Sequence, residues 1–279
     1  MATVLFISPH QDDETLSMGM AIANHSSNPN NDVYVLSVFD GTGSSLNGDP
    51  KHPSYPSGKE FSNARKDEQR RALAKLGVPA SKISYLDIKD DTGMSQTPDA
   101  GGETPIDKIV EYVVQMAEGM GLLTYDDPNY RFGKFSPDFE VKTTSPTDGN
   151  LRDPNPASSS YGQYLSGDHK ACGLAVRRLQ KNYGLSNPRF YCSPYCWENP
   201  FMIGGYNYSY GSVATTGTIY DGSVGSNVTV GKEYNANLVG QFKNALQQYT
   251  TSTGLGIGDA SVHDLFKEVN KCLCSYYHA

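Results

Sequence analysis

The sequence predicts an α/β fold, a Rossmann-like and mostly parallel sheet flanked by helices, with a β-rich C-terminal elaboration. Three observations carry this. Over the first 120 residues, short apolar runs alternate with segments of helical period. The apolar runs end at polar or acidic residues, here His10, Asp40 and the pair Asp90–Asp91. Gly, Pro and Ser mark the joins, as in the stretch from residue 42 to 58.

The elements follow in order. "TVLFIS" (3–8) reads as a buried strand, and "DETLSMGMAIANH" follows with helical spacing and an acidic start suited to a helix N-terminus. "DVYVLSVFDG" (32–41) is the second strand. "FSNARKDEQRRALAKLG" is an amphipathic helix stopped at Gly77, and "KISYLDI" is the third strand. "TPIDKIVEYVVQMAEGM" is a helix with Pro105 near its start. Right-handed crossovers would place the C-terminal ends of these strands along one edge, where α/β sheets bind ligands. Further on, "FEVKTTSP" (139–146) suggests a fourth strand, "GDHKACGLAVRRLQKNYG" a helix capped by Asp168, and "RFYCSPYCW" a strand. Residues 203–232 read as an antiparallel hairpin or flap, and "VGQFKNALQQY" and "SVHDLFKEVNKCL" as late helices. A single domain over 1–279 is expected, with a core to about residue 200 and the elaboration beyond it.

Composition narrows the function classes. The formal charge is −7 and there is no basic block, which argues against nucleic acid or an anionic membrane as the main partner. No apolar run approaches the roughly 18–20 residues of a membrane helix. The chain opens directly on a strand, without a signal peptide. Its 19 tyrosines and abundance of Asn, Ser and Gly favour an exported protein whose leader is absent from this chain, with a cytoplasmic protein as the alternative. Sequons at Asn24, Asn207 and Asn227 are no more than chance would give in such a composition. The five cysteines (172, 192, 196, 272 and 274) fit one or two disulfides, or reduced thiols, better than a structural zinc.

The charge-rich stretch "FISPHQDDETLSMG" (6–19) carries the chemistry. Carboxylates placed beside a histidine at the end of a buried strand need a partner, and a divalent cation is the strongest available. His10 and Asp13 stand three apart at a strand-to-helix turn, where an imidazole nitrogen and a carboxylate can converge on one ion. Zinc accepts this donor mixture and keeps a position open when the protein supplies three ligands. Asp12 then stands free as a base. The plain alternative is that Asp12, Asp13 and Glu14 simply favour a helix N-terminus. Of the six histidines, His278 is terminal, His52 lies in a Pro-rich loop, His25 ends a helix, and His263 lies on a late helix. His169, at a helix start after a polar loop, is the candidate third ligand.

Taken together, "SPHQDDETL" and "SGDH" resemble the motifs of the PIG-L or LmbE family of zinc-dependent de-N-acetylases, roughly P-H-x-D-D-E after a strand and H-x-D-H. The helix "ARKDEQRRALAKLGV" also resembles the family's R-x-x-E helix, so the resemblance covers about the first 185 residues. It implies a metal held by His10, Asp13 and His169, with Asp12 as general base. It further implies Tyr164 as an oxyanion donor, Asp168 in the catalytic group, and Arg65, with Asp40 and Ser166, on the substrate side. Zinc and iron(II) both suit two histidines and a carboxylate.

The chain departs from the family at Ser166, where the motif has its first histidine. A serine hydroxyl donates a hydrogen bond but carries no positive charge near neutral pH. Either Asp12 or another group supplies the final proton, or activity is reduced, and His263 is a stand-in on residue type alone. The implied substrate is an N-acetylated amino sugar, and tyrosines between 191 and 234, with Trp197, offer an aromatic platform for sugar rings. Two rival readings stand beside it, a carbohydrate-binding protein that has lost turnover and an amidase acting on a non-sugar metabolite. Nucleotide binding lacks its G-x-G-x-x-G after the first strand.

Overall fold

Seven strands form one sheet, and its order places a strand reversal at the first of them. The structure, a computed structural model, describes residues 1–90, 102–125, 132–147, 167–197, 202–203, 206–207, 217–221 and 224–279. In chain order the first elements are β1 (Ala2–Ser8), α1 (Asp13–Ser26), β2 (Asn31–Phe39), α2 (Gly58–Lys75), β3 (Ile83–Ile88) and α3 (Pro105–Gly119). A short pair follows, β4 (Leu123–Thr124) with β5 (Lys134–Phe135), then β6 (Phe139–Thr144), α4 (Gly167–Tyr183) and β7 (Arg189–Tyr191). The C-terminal part holds β8 (Met202–Ile203) paired with β9 (Tyr206–Asn207), and β10 (Thr218–Asp221) paired with β11 (Ser226–Thr229). It ends with β12 (Gly231–Glu233), α5 (Val239–Leu246), α6 (Ile257–Ser261), α7 (His263–Cys272) and β13 (Ser275–His278).

The main sheet runs β12-β13-β7-β6-β1-β2-β3. From β3 through β7 it is parallel, and β13 and β12 are antiparallel additions. The chain steps from β1 to β2 and β3 on one side, then returns to β6 and β7 on the other. The crevice at the C-terminal ends of β1 and β6 is thus the topological switch point.

Alternation along β1 explains the two layers. Val4 and Phe6 join α1, α2, α5 and α7 in one apolar cluster. Leu5 and Ile7 join α3 and α4 in the other. Two glycines permit close approaches. A Cβ on Gly19 of α1 would lie 2.3 Å from the Phe242 ring of α5, and one on Gly173 of α4 would lie 2.7 Å from Pro146 after β6. The second contact seats the start of α4 beside the switch point.

Two expectations need correction. "RFYCSPYCW" is strand only to Tyr191, because Pro194 opens a 3-10 turn through Cys196. Of the anticipated flap, β10 and β11 form a separate hairpin, while β12 belongs to the main sheet. The terminal segment "SYYH", too short to signal itself, inserts as β13 between β7 and β12. Cys272 and Cys274 form a disulfide where α7 turns into β13, and Cys172, Cys192 and Cys196 are buried. Among the described residues, no helix is long and apolar enough to cross a membrane.

Candidate active site

The three acidic side chains after β1 are aimed at three different partners. Asp12 precedes α1, and its carbonyl accepts from the Thr15 and Leu16 amides, but its side chain does not cap the helix. Instead Asp12 Oδ2 accepts from Arg65 Nη2 at 2.9 Å, with both groups buried. Asp13 Oδ2 lies 3.1 Å from His10 Nδ1 and 3.2 Å from His169 Nε2. Glu14, fully buried, accepts from Thr15 Oγ1 at 2.7 Å, from Gln69 Nε2 at 2.9 Å, and from the Tyr249 hydroxyl. Asp13 and Glu14 do stand in the first turn of α1, as the plain helix-start account has it, but each of the three carboxylates also has a side-chain partner.

The other nitrogen of His10 is also engaged. His10 Nε2 lies 2.8 Å from Asp90 Oδ1 and 3.2 Å from Asp168 Oδ2. Asp168 is the second residue of α4 rather than its cap, so its carboxylate turns inward to His10. Donor atoms of His10, Asp13 and His169 all lie within 4.8 Å of one another, and so do those of His10, Asp90 and Asp168. The first set offers two imidazoles and a carboxylate, the donor chemistry of a three-ligand zinc or iron(II) site.

Electrostatics follow from crowding. Burial opposes the charge on Asp13, but His169 and His10 outweigh it and hold the carboxyl well below its usual range. Burial pushes Asp168 up to about 6 against the pull of His10, and Asp90 adds to the rise. Asp12 is also raised, by burial, with Arg65 opposing. Burial raises Glu14 to about 7 against its three donors. His10 rises well above an ordinary imidazole, because Asp90, Asp13 and Asp168 outweigh the cost of burying its charge.

The fold brings most of the anticipated residues together. His10, Asp12, Asp13, Asp168 and His169 meet at the switch point, while Tyr164 and Ser166 lie outside the described residues. Arg65, expected on the substrate side, has its guanidinium on Asp12 and on the Gly41 carbonyl at 3.4 Å. Asp40 Oδ1 holds its own turn, accepting from the Thr42 amide at 2.9 Å, the Thr42 hydroxyl at 2.7 Å and the Asp90 amide at 3.3 Å. His263 pairs with Asp259 on an exposed face. Sequence reasoning gave no role to Glu68, whose two oxygens accept from the Ile257 and Gly258 amides at 3.0 Å and fix the start of α6. The R-x-x-E spacing flagged Glu68 together with Arg65. Nothing local flags Tyr249.

A Rossmann-like sheet with an imidazole–carboxylate cluster at its switch point defines the class. Residues 5–130 match the family model described as PIG-L, GlcNAc-PI de-N-acetylase. No curated protein matches the chain. Among solved structures, a deacetylase of the teicoplanin biosynthesis pathway aligns at 14% identity and TM-score 0.57, covering 99% of this chain and 97% of that one. The A40926 pseudoaglycone deacetylase Dbv21 aligns at 16% and 0.54, covering 99% and 95%. The conserved protein TT1542 from Thermus thermophilus aligns at 13% and 0.51, covering 100% and 94%. At such identities the likeness shows the fold.

Proposed function

We propose that the chain is a divalent-metal-dependent N-deacetylase acting on an N-acetylated amino sugar. The observation that carries the reading is the convergence of His10, Asp13 and His169 within 4.8 Å. The family description, GlcNAc-PI de-N-acetylase, supports the reaction type, and the fold shared with deacetylases agrees with it. In this reading His10, Asp13 and His169 hold the cation, zinc first and iron(II) second. The cation would supply Lewis acidity towards the acetyl carbonyl and lower the pKa of water towards about 7.

The chain's own groups would do the rest. Asp12 takes the proton of the attacking water, and Arg65 holds that carboxylate in place through its 2.9 Å contact with Oδ2. Tyr164 donates to the oxyanion, a contact typically worth about 3 kcal/mol. Asp12 returns its proton to the leaving amine, because Ser166 cannot serve as a cationic acid. Asp168 stands beside the His10 ring as a member of the catalytic group. The family resemblance would give Arg65, Asp40 and Ser166 to the substrate, although Arg65 and Asp40 are engaged within the protein by Asp12 and Thr42. The Cys272–Cys274 disulfide supports work outside a reducing cytoplasm.

Acetate release from free N-acetylglucosamine, chitin oligomers and N-acetylglucosaminyl-inositol tests this, with zinc-loaded, chelated and Asp12→Asn protein compared. Release that needs both metal and Asp12 is expected. Bound zinc without release from any sugar would favour a binding protein or a non-sugar amidase, the readings that Ser166 motivates, and would sink the proposal.

A further inference from the structure

We infer that Asp90 is the positioning residue of the site: it holds the Nε2 proton of His10 and so leaves Nδ1 as the nitrogen that faces Asp13 and His169. This rests on the reading of His10 as a cation ligand. An imidazole can present either nitrogen, and the choice is set by the hydrogen bond the other one makes. A carboxylate behind a ligating histidine fixes both the tautomer and the ring orientation.

Two carboxylates reach Nε2, and they differ in how firmly they are held. Asp90 is the closer, at 2.8 Å against 3.2 Å for Asp168. Its second oxygen accepts from the Gly43 amide at 2.9 Å, and its own amide donates to Asp40 Oδ1 at 3.3 Å. Both oxygens and the backbone of Asp90 are therefore engaged, the second oxygen and the amide by the loop after β2. Asp168 Oδ1, by contrast, has no hydrogen-bond partner among the described residues.

The backbone is shaped to deliver Asp90. The register between β2 and β3 shifts between Ser37 and Phe39, and Asp87 sits in the left-handed region at φ 52°. Ile88 then pairs with Phe39, and its carbonyl accepts from the Asp40 amide at 2.8 Å. The irregularity re-aims the end of β3 across the end of β2 towards His10, which follows β1. A strand end bent in this way, with both oxygens of the arriving carboxylate engaged, is what a fixed orienting group requires.

The test is zinc affinity by calorimetry and the visible absorption spectrum of the cobalt(II)-loaded protein, which reports coordination geometry. Wild type, Asp90→Ala, Gly43→Ala and Asp13→Ala would be compared. Asp90→Ala is expected to weaken zinc by about 10- to 100-fold and to alter the cobalt bands. Gly43→Ala keeps every charge, yet its Cβ would lie 3.0 Å from the Asp90 carboxylate. It should therefore shift the cobalt bands in the same sense, and it decides the matter if Asp90→Ala does not fold. Unchanged zinc affinity and bands in both variants, with binding abolished by Asp13→Ala, would overturn the role of Asp90 and leave the metal reading standing. Failure of wild type to bind either ion would overturn both.

Discussion

Helix α4 feeds two buried polar clusters. Its first turn sends Asp168 and His169 to the end of β1, and two turns later Arg177 reaches Asp221 at 2.9 Å. The second cluster also contains His278, whose Nε2 lies 2.8 Å from the Ser145 hydroxyl and whose Nδ1 lies 3.7 Å from Asp221. Arg177 further donates to the Ala279 carbonyl at 3.0 Å. Both clusters set histidine against aspartate out of water, yet their charge balances differ. Asp221 lies against the Arg177 guanidinium and the His278 imidazole. At the end of β1, among the described residues, the carboxylates of Asp12, Asp13, Asp90 and Asp168 face Arg65 and two imidazoles. A balanced cluster ties the C-terminus to the sheet. An acidic excess leaves charge for a cation to offset, and it is this excess, rather than the residue types, that singles out the first cluster.

Four substitutions probe the contrast. The largest effect is expected at Asp12: Asp12→Asn should lower acetate release by about 10²- to 10⁴-fold while zinc is still bound. Equal turnover in the variant would remove Asp12 from the chemistry. Arg177→Ala, in the balanced cluster, leaves Asp221 buried without its guanidinium. Urea unfolding should show a loss of about 3–5 kcal/mol with zinc affinity unmoved. A weaker zinc site in that variant would show that the two clusters are not separate.

Gly19→Ala touches neither cluster. Its methyl would meet the Phe242 ring at 2.3 Å, so thermal unfolding should report a loss of about 1–3 kcal/mol. A neutral result would mean that α5 shifts freely on α1.

The smallest effect lies at His25, at the far end of α1. Burial, and then Lys142, depress this imidazole to about 4. The folded protein thus keeps His25 neutral where the unfolded chain takes up a proton near pH 6.5. Its contribution is complete above about pH 6.5, falls as pH drops towards 4, and is flat below that. His25→Gln should flatten the stability profile across that window. An unchanged slope in denaturant titrations would assign the loss to other groups.

Much of this could be read from the chain. The alternation of strands and helices located β1, β2, β3, α1, α2, α3 and α4 to within a few residues, because period and punctuation are local properties. His10, Asp13 and His169 were legible for a related reason: a strand end and a helix start announce themselves, and the parallel crossover gathers them on one edge. The short strands were not legible. β13 holds four residues and forms only because β7 and β12 offer edges on both sides.

What the sequence determined by itself was the list of groups and the edge they share. The tertiary structure alone decided which group each carboxylate faces. Asp12 meets Arg65 across 53 positions of chain, and Glu14 meets Tyr249 across 235. A buried charge accepts whichever donor the packing brings within about 3 Å, and that distance depends on strand order and helix placement rather than on neighbours in sequence.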